Sequence, residues 1–198
     1  CVSLPRAPAT AGSISPAVTD ATRSNCGGAR RGCVWSGGDL NHTYLREALS
    51  GGPPALARCD MRHLPFATDS FDVVLNLLNS FGYAETPAGD RTALAEWRRV
   101  LKPGGTLVLD LPNREALLHA VRLHPGMRYI AGDYEVEESF VWDAASACLI
   151  NRTRWRWPGG TEQRGYRPRL YTPAQIDAML EAQALDVYAR YGDFSGGP

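Results

Sequence analysis

Apolar and polar residues follow a regular spacing only from about residue 39 onward. Two brief, β-branched apolar runs, Phe71–Asn76 and Thr106–Leu111, have the pattern of buried strands. Between them, four apolar residues recur at the spacing of a helix: Leu94, Trp97, Val100 and Leu101. A further helix is predicted over Arg114–Leu123. Because strands alternate with helices, we predict an α/β protein with a Rossmann-like, doubly wound and mostly parallel sheet.

Local signals predict several shorter elements around this framework. Thr43 is predicted to cap a short helix, and Ala55–Cys59 is predicted to form a strand. Thr172 precedes a proline and predicts a helix over residues 173–184, because threonine caps helices and proline suits the first helical position. Leu185–Tyr191 is predicted to be a final strand.

Between residues 128 and 170 the pattern changes to an alternation of polar and apolar positions. Three runs show it, separated by turn residues: Tyr134–Trp142, Ala147–Trp157 and Glu162–Leu170. This alternation predicts an antiparallel β meander inserted into the α/β plan, which is also a candidate lid over a substrate. Four aromatic side chains either cover the substrate or pack across strands, and packing is the favoured interpretation: Trp142, Trp155, Trp157 and Tyr166.

Composition divides the chain into two parts and limits the classes of partner that it is expected to bind. Residues 1–38 lack any hydrophobic period, which predicts a poorly ordered leader before a domain of residues 39–198. The 21 basic and 21 acidic side chains cancel, so strong electrostatic binding to nucleic acid or to a membrane is not expected. The five cysteines lack metal-site spacing, so we expect reduced thiols in the cytoplasm and no metal. The oligomeric state stays open.

Polar side chains follow three of the predicted strands. In an open parallel sheet, ligands bind beyond the carboxyl ends of the strands, where Asp39, Asp60 and Asn76 are expected. A carboxylate such as Asp39 accepts hydrogen bonds from ribose hydroxyls. Asp60, followed by the apolar Met61, suits the amino group of an adenine ring. These residues favour an adenosine pocket, although aspartates also stabilise turns without binding anything.

The order of these segments resembles the class I S-adenosylmethionine-dependent methyltransferases. The resemblance runs from Asp39 to about Phe194, and its most specific element is the Leu-Lys-Pro-Gly-Gly turn at residues 101–105. It implies S-adenosylmethionine as cofactor and a small molecule as the acceptor of an N- or O-methylation. It also implies a set of cofactor-binding positions, for ribose, adenine and the methionine part in turn: Asp39 with Leu40, Asp60 with Met61, and Asn76 with Leu77.

Two parts of the family pattern are missing from this sequence. The last strand is expected only after Pro198, and the glycine-rich G-x-G loop is absent. A single extra base in the codons of residues 36–38 would explain the missing loop, although the degeneracy of the code also lets many other patterns through. Read in the second frame from the codon of Ser13, the degenerate code permits Asp-Leu-Ala-Cys-Gly-Asp-Gly-Arg, which places a glycine loop about 20 residues before Asp39. We therefore predict that the leader replaces the first strand and its loop.

Methyl transfer from a sulfonium requires positioning more than acid–base chemistry. The candidate catalytic residues are accordingly few: Tyr83, Asp110 and Asn113, of which Asn113 equally suits a helix cap. His63 and His119 are more typical of solvated or packing residues. Two alternatives stay open. The chain is a non-catalytic, methyltransferase-like remnant, or it is a nicotinamide-dependent oxidoreductase, which explains neither Asp60 with Met61 nor the turn at residues 101–105.

Overall fold

The computed structural model describes residues 36–49 and 55–193, so most of the predicted leader and the hypothetical glycine loop lie outside the described residues. The elements are β1 (Ser36–Asp39), α1 (His42–Leu49), β2 (Ala55–Arg58), β3 (Phe71–Asn76), α2 (Pro87–Val100), β4 (Leu101–Leu109), α3 (Arg114–Leu123), β5 (Gly126–Ala131), β6 (Tyr134–Asp143), β7 (Cys148–Trp157), β8 (Gly160–Tyr166) and α4 (Pro173–Glu181). The strand β1 begins within the segment predicted to be leader.

The parallel strands form two pairs. β1 lies parallel to β2, with Asp39 opposite Arg58, and β3 lies parallel to β4, with Asn76 opposite Leu109. Among the described residues these pairs are separate ladders. Parallel strands joined through helices, together with an antiparallel sheet, confirm the predicted α/β fold and its inserted meander.

The Leu-Lys-Pro-Gly-Gly segment joins α2 to β4 through a bulge. Phe71 of β3 is opposite Leu101, but Val73 is opposite Thr106, so residues 102–105 protrude from the ladder. Gly104 has a φ of +76°, a left-handed conformation that glycine adopts without strain. The predicted turn is therefore present, although β4 already begins at Leu101.

The hydrophobic core lies on one face of the β3–β4 pair. The helix α2 contributes the positions predicted from its spacing, and Leu94 and Trp97 are buried there. Phe81 packs against Trp97 with ring centroids 5.6 Å apart, and Ile176 and Leu180 of α4 complete the cluster. These contacts position the segment that follows β3, because Phe81 belongs to it.

Helix caps account for where the helices begin. The Thr172 hydroxyl accepts a hydrogen bond from the Gln175 amide, which confirms the predicted cap of α4. The predicted cap of α1 was wrong: the Asn41 side chain accepts from the Thr43 amide, so the helix begins before Thr43. The predicted final strand, Leu185–Tyr191, was also wrong. A strand needs a hydrogen-bonding partner, and no described strand pairs with those residues.

The meander has four antiparallel strands, in the order β5-β6-β7-β8. β5, Gly126–Ala131, was missed because nearly all of its residues are exposed and no buried face marks it in the sequence. The other three strands follow the predicted alternation. Tyr134 packs against Trp155 and Trp157, with ring centroids 6.1 and 5.8 Å apart, which is cross-strand aromatic packing.

Alternation gives the meander two different faces. We call the face that carries Val136, Glu138, Thr153 and Trp155 the inner face, since Val136 is completely buried. The outer face carries ion pairs of β6 glutamates with arginines of β5 and β7, such as Arg128 with Glu137 at 2.6 Å. Three arginines of β7 lie on this outer face: Arg152, Arg154 and Arg156.

Candidate functional site

Asp39 ends β1 with a buried carboxyl group that is 7% exposed. Its Oδ1 accepts a hydrogen bond from the Asn41 amide at 2.6 Å, and its backbone oxygen accepts one from the Cys59 amide at 3.1 Å. Burial raises the pKa of Asp39, and the hydrogen bond from Asn41 partly opposes that shift. A carboxylate in this position is a strong acceptor for neutral hydroxyl donors.

Asp60 follows β2 and is already engaged by a neighbour. The Arg62 Nε donates to both carboxylate oxygens at 3.0 Å, and its Nη2 donates to Oδ2 at 2.6 Å. These bonds hold the pKa of Asp60 below its ordinary value. No pattern in the sequence indicated Arg62, because its contact with Asp60 depends on the turn in which the His63 amide donates to the Asp60 backbone oxygen at 2.9 Å.

The structure brings the two aspartates to one edge of the β1–β2 pair, around Cys59. Burial is the main cause that raises the pKa of the Cys59 thiol, and the negative charges of Asp39 and Asp60 raise it further. Gly38 permits this close approach, since a Cβ there would lie 2.6 Å from the Cys59 Sγ. The predicted proximity of the two carboxyl groups is therefore present.

Asn76 ends β3 with a buried side chain that is 5% exposed. Its Oδ1 atom is buried and has no hydrogen-bond partner among the described residues. Leaving such an acceptor unpaired costs about 1–3 kcal/mol. A donor from a bound ligand would remove that cost, so this atom fits a cofactor that carries amino or hydroxyl groups.

The segment after Asn76 is conformationally strained. Leu78 and Asn79 both have a φ of +55°, in the left-handed region that glycine normally occupies. Asp110, at the end of β4, accepts a hydrogen bond from the Leu78 amide at 2.8 Å, and the Ser80 hydroxyl donates to the Leu77 oxygen at 2.6 Å. Strain that the surrounding contacts hold in place is typical of ligand-binding loops.

The remaining predicted cofactor residues have mixed surroundings. Met61 is partly buried and packs against the hydrophobic core, although it directly follows Asp60 at the edge of the sheet. Leu40 is half-buried, and its backbone oxygen accepts from the Arg58 Nε at 3.0 Å. Leu77 is half-buried beside Asn76.

The candidate catalytic residues differ in what they contact. Asn113 caps α3, because its Oδ1 accepts from the Ala116 amide at 3.0 Å. Asp110 holds the segment after β3, as described above. Tyr83 is half-buried, burial raises its pKa, and its ring centroid lies 6.2 Å from that of Tyr166 on β8. Tyr83 is therefore the candidate that faces the meander.

A buried ion pair fixes the backbone around Tyr83, and the sequence did not indicate it. Asp90 and Arg169 are 2% and 8% exposed and lie 2.7 Å apart. The Tyr171 hydroxyl also donates to Asp90 at 2.7 Å, and the Ala84 amide donates to its other oxygen at 3.2 Å. This network connects α2, the segment after β3 and the segment after the meander.

Other kinds of site find little support in the described part of the chain. No group of three or more histidine, cysteine or acidic side chains there is arranged to hold a metal ion. His63 and His119 are both exposed. A cleft of about 530 Å³ crosses the meander. Most of its charged lining residues, such as Arg128 and Glu137, belong to the outer face, whereas Glu138 belongs to the inner face. Within residues 36–49 and 55–193, no helix is both long and apolar enough to cross a membrane.

Comparison of the sequence with known proteins agrees with the cofactor site inferred from the geometry. Residues 21–109 match the family model described as a methyltransferase domain. Over 78 residues the chain is 42% identical to the ubiquinone/menaquinone biosynthesis C-methyltransferase UbiE of Ralstonia pickettii strain 12J. That match covers 36% of this chain and 30% of the relative, so the chain spans less than a third of the length of this curated protein.

Comparison with solved structures gives the fold. An S-adenosylmethionine-dependent methyltransferase from Clostridium acetobutylicum has a TM-score of 0.72 at 17% identity, over 83% of this chain and 69% of that one. CalS10 of Micromonospora echinaspora, an amino pentose methyltransferase solved with S-adenosylmethionine bound, has a TM-score of 0.59 at 22% identity, over 85% and 72% of the two chains. The chain thus has the fold of known S-adenosylmethionine-dependent methyltransferases, and residues 21–109 of it match a methyltransferase domain.

Proposed function

We propose that the chain binds S-adenosylmethionine and methylates a small molecule at nitrogen or oxygen. The observation that carries this proposal is the position of two carboxyl groups, Asp39 at the end of β1 and Asp60 just after the parallel strand β2, with Cys59 hydrogen-bonded to the Asp39 backbone between them. Two acceptors at adjacent strand ends suit the hydroxyl and amino groups of a nucleoside. The family match over residues 21–109 supports the same cofactor.

The ribose and the methionine part of the cofactor each have a residue that fits them. Asp39, beside Leu40, would accept hydrogen bonds from the ribose hydroxyls, since its carboxyl group is buried and lies at the end of β1. The unpaired Oδ1 of Asn76, beside Leu77, would accept from the methionine amino group. When bound, the cofactor supplies an activated methyl group. The protein has only to hold the two reactants and to exclude water.

The acceptor is proposed to be small because of where Tyr83 lies. Its ring centroid lies 6.2 Å from that of Tyr166 on β8, so a lid formed by the meander would cover the site on the side of Tyr83. The names of similar proteins, a quinone-pathway C-methyltransferase and an amino pentose methyltransferase, also indicate small acceptors.

Cys59 and Cys148 are free thiols, which supports a reducing, cytoplasmic location.

One observation favours a second candidate, a form impaired in cofactor binding. Arg62 donates to both oxygens of Asp60, so the adenine-side carboxylate has lost acceptor capacity. In that case the chain is a methyltransferase-like domain that binds S-adenosylmethionine only weakly. The role of Asp60 is then to stabilise its own turn.

Titration calorimetry with S-adenosylhomocysteine separates the two candidates. A dissociation constant in the micromolar range, lost in Asp39→Ala and kept in the exposed control Asp133→Ala, supports the methyltransferase. Methylation of a panel of small amines and alcohols then identifies the acceptor. Absence of binding to a folded chain supports the impaired form.

A further inference from the structure

Three tyrosines and one glutamate from four separate segments meet next to the inner face of the meander. We call Tyr83, Tyr129, Glu138 and Tyr166 the tyrosine–glutamate cluster. Glu138 of β6 hydrogen-bonds with Tyr129 of β5, and Tyr166 of β8 packs against Tyr83. The cluster opens to solvent, because Tyr129 is 36% exposed and Tyr166 is 45% exposed.

Among the described residues, the groups beside the Glu138 carboxyl are neutral. Tyr129 hydrogen-bonds with it and Thr153 lies beside it, and neither carries a charge; the Thr153 hydroxyl itself donates to the Asn151 Oδ1 at 2.9 Å. Arg164, in the same cross-strand row as Thr153, donates instead to Glu162 at 2.8 and 2.6 Å. Burial raises the pKa of Glu138, and burial together with the neighbouring Tyr83 and Glu138 raises the pKa of Tyr166 to about 12. Tyr166 therefore stays neutral at any physiological pH.

A half-buried carboxylate among aromatic rings is suited to a cation. The carboxylate supplies the opposite charge, and the ring faces of tyrosines attract ammonium groups through their quadrupoles. A neutral hydroxyl compound gains neither interaction to the same extent. Behind the cluster, Asn151 is 1% exposed and its Nδ2 has no partner among the described residues, so a hydrogen-bond donor is also present.

We propose that the tyrosine–glutamate cluster binds the ammonium group of the methyl acceptor, which makes the acceptor a small primary or secondary amine. This inference rests on the proposed function for its biological meaning. Tyr83 connects the two sites, since it belongs to the segment that leaves Asn76 at the end of β3.

In this arrangement Glu138 also acts as a base. An ammonium group has no lone pair and cannot be methylated. Glu138 accepts one proton from the bound ammonium and becomes a neutral carboxylic acid, while the nitrogen keeps the electron pair of the broken N–H bond. A carboxyl group with a raised pKa is better suited to this transfer than an ordinary surface glutamate.

The test is binding of two matched probes to the full chain without cofactor, by calorimetry and by ligand-observed NMR. Cyclohexylamine carries a charge at neutral pH, and cyclohexanol has nearly the same shape without it. We expect the amine to bind at least about tenfold more tightly than the alcohol. Equal affinities of the two probes would overturn the proposal.

Two variants identify the residues. In Glu138→Gln the affinity for cyclohexylamine is expected to fall about tenfold or more, whereas the alcohol binds as before. Glu135→Gln is the matched control, because Glu135 lies on the outer face of the same strand and pairs with Arg156. A folded Glu138→Gln protein with unchanged amine affinity contradicts the proposal. Should that variant not fold, Tyr166→Leu must bind the amine more weakly than Tyr166→Phe, and equal affinities have the same meaning.

A parallel titration with S-adenosylhomocysteine keeps this inference separate from the proposed function. Nucleoside binding without amine selectivity refutes the amine site and leaves the methyltransferase intact. Amine selectivity without nucleoside binding leaves the cluster as an amine site and removes the proposed function.

Discussion

At the scale of single residues, Arg62 determines how much of Asp60 is available to a ligand. We expect Arg62→Met to tighten S-adenosylhomocysteine binding about threefold to tenfold, because both Asp60 oxygens become free to accept hydrogen bonds. The ion pair lowers the folded-state pKa of Asp60, so its contribution to stability is present above the ordinary pKa of an aspartate and is lost as the pH falls. In the variant, carboxyl-detected NMR should therefore show a higher pKa for Asp60. Unchanged or weaker binding would show that Arg62 does not compete with the cofactor.

A second test distinguishes a structural role of Asp110 from a catalytic role. The Asp110 Oδ2 accepts from the Leu78 amide, so Asp110→Ala should lower the free energy of unfolding by about 1 kcal/mol, as measured by urea denaturation. Asp110→Asn keeps a carbonyl oxygen at that position and should lose less. If Asp110 only holds this segment, the Asn variant also keeps its affinity for S-adenosylhomocysteine. A full loss of methylation in a stable Asp110→Asn protein would instead assign the residue to catalysis.

The residues predicted from the sequence are those whose position follows from strand ends. Asp39 and Asp60 were predicted to follow neighbouring strands, and they follow β1 and β2, which pair in parallel; their role in binding stays a prediction. Glu138 was not predicted, since it differs from Glu135 and Glu137 only in the face of β6 on which it lies. Arg62 was missed for the same kind of reason: its contact with Asp60 depends on turn geometry that no spacing rule expresses.

At the scale of elements, the Asp90–Arg169 pair connects α2 to the segment after the meander. Asp90→Ala leaves a buried guanidinium uncompensated, and removing one partner of such a pair costs about 3–5 kcal/mol. We expect the urea midpoint to fall accordingly. The double variant Asp90→Leu with Arg169→Met removes both charges and should recover most of the loss. A double variant no more stable than Asp90→Ala would show that the hydrogen bonds of this network, and not its charge balance, provide the stability.

Elements with one buried face were predicted well, and elements without one were not. The spacing of Leu94, Trp97 and Val100 located α2, and all three side chains are buried. β5 has no buried residue to reveal it, and Leu185–Tyr191 has an apolar pattern but no partner strand among the described residues. Pairing depends on residues distant in the sequence, which a local pattern does not contain.

At the scale of the whole molecule, one face of the β3–β4 pair packs on the core, and no described element covers the other face. Val73 and Val108 lie on the open face and are 46% and 40% exposed, although parallel sheets are normally covered on both faces. In the described residues, the β1–β2 pair is also a ladder separate from β3–β4. The second-frame reading of the leader adds a strand, a glycine loop and the start of a helix, which are the parts that would join the two pairs and cover this face.

The frame hypothesis therefore predicts a change in both stability and binding. A chain in which residues 13–36 are replaced by the second-frame sequence should bind S-adenosylhomocysteine at least about tenfold more tightly than the present chain, since loop glycines let the backbone approach the cofactor. Its melting temperature should also rise, because added apolar contacts cover Val73 and Val108. The control is the same chain with both loop glycines changed to alanine, which should keep the stability and lose the gain in affinity. If the restored chain is neither more stable nor a tighter binder, the leader is a genuine part of this protein and the slipped base never occurred.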